Sequence, residues 1–184
     1  MRRVELATRF FLIRPPSREE PRGEAVIRAQ GILEPLLARL AARRTALVVG
    51  SPHEPGLSEL AGRLGAPLRC DPRLHPVDAA LPAEGGERVL GVLDDLSREF
   101  QQAEIVVFLH AEGIRAVLAR ALHVADASVF APEPAQAIAL DWAHPQARDF
   151  KHALIGFAFD WDVAPVSKQV HRFPGGASVL PRSS

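Results

Sequence analysis

An α/β fold, a three-layer sandwich with a mostly parallel central sheet flanked by helices, is what the sequence predicts, and three observations predict it. Short unbroken runs of large apolar residues recur, bounded by proline, glycine or charge, as in strands buried on both faces. Between them lie longer stretches whose apolar residues return every three or four positions, the period of a helix with one face on a core. The two patterns alternate along 184 residues, a length that suits one core.

The first strand is expected over Phe10–Ile13 and must stop at Arg14-Pro15, because proline cannot extend a central ladder. Pro16–Gly23 reads as a solvated loop. From Glu24 to Arg44, Val26, Ile27, Leu33, Leu36, Leu37, Leu40 and Ala41 form one stripe of a helix that Gly31 and Pro35 weaken and could kink. Ala46–Val49 is the second strand, closed by Gly50-Ser51-Pro52, and a helix through Leu57–Leu64 ends at Gly65. Pro67–Cys70 is a short third strand. Residues 71–86, with Pro72, Pro76 and Pro82, read as an irregular excursion. Val89, Leu90, Val92, Leu93 and Leu96 line a helix between Glu87 and Phe100. Ile105–Leu109 is the clearest strand, and after His110 the stripe Ile114, Val117, Leu118 and Leu122 marks another helix. Ala137–Leu140 and Ala153–Phe159 are the last strands, the second interrupted by Gly156. The domain is expected to span 1–173, with 174–184 as a loose tail. Trp142 and Trp161 read as packing groups or partner contacts.

Composition narrows the function classes. Twenty-two basic residues balance 22 acidic ones, so no strong field draws the chain to nucleic acid or acidic lipid. A pI near 7.1 means weak repulsion between copies, which is compatible with self-association. The single cysteine, Cys70, allows no internal disulfide, which fits a cytoplasmic protein. The start Met1-Arg2-Arg3 is basic, but Phe10–Ile13 is too short for a signal-peptide core or a membrane span.

In an open parallel sheet, ligands sit beyond the carboxyl ends of the strands. Three residues stand at predicted exits: Arg14, Ser51 and His110. Segments around them form an ordered series: Leu12-Ile13-Arg14-Pro15-Pro16, Gly50-Ser51-Pro52-His53-Glu54-Pro55-Gly56, Asp71-Pro72-Arg73-Leu74-His75-Pro76-Val77-Asp78, and Val106 through Leu118 with His110-Ala111 at its centre. Over roughly residues 10–142 this series resembles the histidine phosphatase (phosphoglycerate mutase-like) family. That family carries an Arg-His-Gly signature after its first strand, a Ser-Ser-Pro-Leu-x-Arg-Ala segment, a Leu-x-Glu loop and a late His-Gly pair before a helix.

The resemblance implies a phosphate pocket in which the first histidine attacks, two arginines and a second histidine surround the phosphoryl group, and a glutamate protonates the leaving oxygen. Carried over residue by residue, Arg14 matches the first arginine and His110 the second histidine. The nucleophile position holds Pro15, which offers neither an attacking nitrogen nor a backbone N–H. The second arginine position holds Pro55, the acid position Pro76 with His75 beside it, and Ala111 replaces the glycine after the second histidine.

The expected ligand-binding residues are therefore Arg14, His110, Ser51, His53 and His75, with no catalytic residue. A surface arginine and a structural histidine are the commoner fates of such residues. Their positions at strand exits argue for the pocket. His53, His75 and His110, supplemented by Asp71 or Asp78, lack the spacing of a metal motif, so neither metal nor cofactor is expected. The functional expectation is a catalytically inactive histidine phosphatase-like protein that binds phosphate or another small anion, or a protein partner. The alternatives are a hydrolase with displaced groups, drawing on Glu54, Glu112 or Asp78, and a structural, homo-oligomer-forming protein. Nucleic-acid and membrane partners are not expected.

Overall fold

A computed structural model describes residues 7–15, 24–54, 56–76, 82–124, 137–143 and 153–157. Its strands are β1 (Ala7–Ile13), β2 (Leu47–Gly50), β3 (Leu68–Cys70), β4 (Glu104–Phe108), β5 (Ala137–Ala143) and β6 (Ala153–Phe157). The helices are α1 (Glu24–Ala41), α2 (Leu57–Leu64), α3 (Pro82–Glu99) and α4 (Ala111–Leu122). The strands form one six-stranded sheet in the order β3-β2-β4-β1-β5-β6. Pairings from β3 to β1 are parallel, and β5 runs antiparallel to both its neighbours. The mixed sheet with helices on both faces is the predicted sandwich.

Strand alternation sorts the core into two layers. Phe10, Leu12, Leu47, Val49, Ile105, Val107 and Leu109 pack with α3 and α4. Phe11, Ile13, Val48, Val106 and Phe108 pack with the Leu36, Leu37, Leu40, Leu57, Ala61 and Leu64 faces of α1 and α2. The chain thus winds outward from β1 to β3 with helices on one face. It returns to β4 with helices on the other. β4 inserts between β1 and β2, so the exits of these three strands stand side by side.

Several expectations change in detail. The excursion over 71–86 is a 3-10 turn at Pro72–Leu74, and α3 begins at Pro82 instead of near Glu87. Proline is well suited to a first helical position, where its missing N–H has no intrahelical use. α1 continues through Pro35 to Ala41. β5 extends beyond Leu140 through Asp141 and Trp142, and β6 is paired with it across an irregularity that skips Ile155. Trp142 is buried and its indole N–H donates to Asp94 at 2.8 Å, which makes it a packing residue. Trp161, the loop 16–23 and the tail 174–184 lie outside the described residues. Gly65 ends α2 as expected: its φ of 62° lets the Ala66 N–H turn back to the Ala61 carbonyl.

A charged row crosses the amino-terminal half of the sheet. Arg9 stands opposite Glu104 on β4 and opposite Asp141 on β5. Both Arg9 and Asp141 are at most 1% exposed, and the guanidinium donates twice to the carboxylate, at 2.7 and 3.0 Å. Glu104 receives two further bonds from Arg43, whose guanidinium lies 5.3 Å from the Phe11 ring centre. Burial pushes the Asp141 carboxyl above its ordinary range, while Arg9 pulls the other way. Removing one member strands a buried charge, so Arg9→Met or Asp141→Ala is expected to destabilise the fold by about 3–5 kcal/mol, and Arg9→Met with Asp141→Leu by much less than the sum. Urea unfolding of the three variants tests this.

The α3–α4 contact is equally specific. A Cβ on Gly86 would lie 2.9 Å from the Ala116 Cβ, closer than packed carbons come. Gly→Ala inside a helix ordinarily stabilises by about 1 kcal/mol. Here Gly86→Ala is expected to lower the thermal midpoint, and Ala116→Gly to restore part of the loss.

Candidate functional site

Each exit loop is built by its own local chemistry. After β1 the chain delivers Arg14, half-buried, and then Pro15, buried. After β4 the Leu109 N–H still donates to the Ile13 carbonyl at 2.9 Å, so the two exits stay level. His110 follows as the N-cap of α4, with extended backbone and no side-chain cap bond. The first-turn N–H groups of α4 therefore open toward the strand exits with their partial positive charge.

After β2, Ser51 is buried. Its hydroxyl oxygen accepts from the His53 N–H at 3.3 Å, and its carbonyl accepts from the Glu54 N–H at 3.0 Å. This serine-anchored turn exposes His53 and half-buries Glu54. After β3, the Asp71 N–H continues the ladder to the Gly50 carbonyl at 3.0 Å. The Asp71 carboxylate accepts from the Arg73 N–H at 2.9 Å, which starts the 3-10 turn, and buried Leu74 pins that turn to the core. Arg73 also reaches Asp95 on α3 at 2.8 Å. His75 emerges exposed at the turn's end.

Histidines from two loops meet: the His53 and His75 ring centres are 4.8 Å apart and near edge-on. His110 Nε2 lies 3.6 Å from Glu54 Oε2, close enough to pair when the imidazole is protonated. Partial burial pushes the His110 pKa below its ordinary value; Glu112 opposes this, and the nearby His75 and Arg14 reinforce it. Glu112 is itself 3.6 Å from Arg115.

The five residues expected from sequence thus belong to neighbouring loops of one sheet edge. The structure brings His53 to His75 and sets His110 within the electrostatic reach of His75 and Arg14. Ser51 is turned to a different use, because its hydroxyl anchors the turn that presents His53. Glu54 proves to be the carboxylate nearest His110; the sequence offered it only as one of several acidic residues. Pro76 is exposed, while Pro55 and Asp78 lie outside the described residues. Among the described residues, no group of three or more His, Cys, Asp or Glu could hold a metal ion, and no helix is long and apolar enough to cross a membrane.

No family model matches the chain, and no curated protein sequence matches it. Solved structures do match. Mycobacterial hydrolase 2 superposes with a TM-score of 0.62 at 18% identity, covering 90% of this chain and 94% of that one. The mycobacterial glucosyl-3-phosphoglycerate phosphatase gives 0.61 at 15% identity, covering 79% and 96%. The phosphoglycerate mutase from Plasmodium falciparum gives 0.56 at 14% identity, covering 95% and 98%. At these identities the shared property is the fold, and it is the histidine phosphatase (phosphoglycerate mutase-like) sandwich that the order of segments implied.

The depressed His110 pKa makes stability depend on pH. The unfolded chain takes up this proton at about pH 6.5, before the folded one does. The neutral imidazole's contribution is therefore fully present above that value and declines as pH falls below it. His110→Asn is expected to flatten this part of a stability–pH profile measured by urea midpoints, and an unchanged slope would contradict the assignment.

Proposed function

We propose that this chain is a non-catalytic relative of histidine phosphatases whose sheet-edge mouth holds a small anion, with phosphate and phosphate esters as the first class. The observation that carries the reading is Pro15, directly after Arg14 at the exit of β1. A histidine in that place would attack phosphorus. A proline nitrogen is bound into the main chain, carries no proton and cannot attack. No phosphohistidine can form there.

What remains suits binding. Arg14 supplies a rigid cationic fork, His110 a half-buried imidazole, and His53 and His75 two exposed ones, while Ser51 holds the turn that presents His53. Two of the similar folds belong to proteins named for acting on phosphoglycerate compounds, which supports phosphate as the ligand class. A protein-docking role finds less support. Among the described residues Val124 is the exposed large apolar side chain, far short of a hydrophobic patch.

A second reading, a hydrolase with displaced groups, draws on His110 Nε2 at 3.6 Å from Glu54. A carboxylate beside an imidazole can orient it as a general base. The two readings separate on a panel of phosphomonoesters. The expected result is no turnover above that of His110→Ala. Robust turnover that His110→Ala abolishes would replace the first reading with the second.

A further inference from the structure

The mouth is unusual in how its charge is supplied. Its fixed charges cancel: Arg14 and Arg115 are positive, Glu54 and Glu112 negative, with Glu112 and Arg115 set against one another at 3.6 Å. On the β3 side, Asp71 and Arg73 neutralise each other through two-point contact, and Arg73 and Arg98 together meet Asp95. The remaining groups that can carry charge among the described residues of these loops are His53, His75 and His110, one to three residues past the exits of β2, the 3-10 turn and β4. Histidine is the side chain whose charge ordinarily changes between about pH 5 and 8.

We propose that this mouth is a proton-coupled anion site, binding a doubly charged oxyanion tightly only when the histidines at its rim are protonated. The inference rests on the anion-binding reading above and adds its regulation. His53 and His75 make contact at 4.8 Å, so two imidazolium rings there repel one another unless an anion lies between or beside them. An anion therefore favours protonation, and protonation favours the anion, which is reciprocal linkage. Glu54 is the internal competitor: within 3.6 Å of His110, it can pair with that ring's added charge, so the gain falls mainly to the exposed His53–His75 pair.

Sulfate is the probe, because it keeps both charges across this range and any pH dependence then belongs to the protein. Calorimetric titration of the full chain with sodium sulfate, at fixed ionic strength, is expected to give at least about tenfold tighter binding at about pH 5.5 than at about pH 8. Proton uptake should accompany it, visible as an enthalpy that varies with buffer. The double variant His53→Asn, His75→Asn, at two exposed positions, is expected to bind sulfate with little pH dependence, and Arg14→Gln to weaken binding at both pH values. Equal wild-type affinity at the two pH values would overturn the coupling and leave the anion site standing. A pH dependence that survives in the double variant would also overturn it. Absence of sulfate binding at every pH would overturn the anion reading and the coupling together.

Discussion

Arg9 stands at the centre of the sheet with a carboxylate on either side, Glu104 across the β1–β4 pairing and Asp141 across the β1–β5 pairing. Three strands far apart in sequence are thereby held in one register. A slip of one residue would turn Arg9 to the other face and drive its charge into the apolar layer of Phe10 and Leu12. It would also strand Asp141, which is fully buried. The hydrophobic surfaces of β1 and β4 are too uniform to choose a register by themselves. A buried two-point arginine–carboxylate pair is selective because it fits in one alignment.

That register sets the site at the opposite end of the same strands. With Arg9 level with Glu104, Ile13 falls level with Phe108, and the exits of β1 and β4 deliver Arg14 and His110 side by side. β2 pairs with the other edge of β4, so Ser51 and its turn arrive beside them, and β3 brings the 3-10 turn with His75. The mouth is a by-product of alignment elsewhere. The backbone N–H groups of His53, Arg73 and His75 are tied to the Ser51 hydroxyl, the Asp71 carboxylate and the Pro72 carbonyl, which limits how far His53 and His75 can move from one another.

Much of this was legible in the chain. Uninterrupted runs such as Ile105–Leu109 announce strands because few other buried structures use β-branched residues so densely, and the stripe of α4 is clear from Ile114 to Leu122. The order of segments also carried the fold, although no single motif was specific. Less legible was the start of α3. Pro82, Gly85 and Gly86 look like loop residues, yet Gly86 is there so that α3 can approach Ala116 on α4. Arg9 and Asp141 were missed as a pair for a similar reason: each reads as the polar end of a strand until its partner, 132 residues away, is beside it.

The sequence by itself determined the alternation of strands and helices, the exits at Arg14, Ser51 and His110, and the proline that follows Arg14, because these depend on local periodicity and on covalent properties of single residues. Tertiary structure alone decided which carboxylate meets His110, that His53 and His75 touch, and that Ser51 serves a turn. Those are relations between loops brought together by strand order. Strand order follows from packing two helical layers on a twisted sheet and from burying Arg9 between Glu104 and Asp141, and no window along the chain contains both sides of that contact.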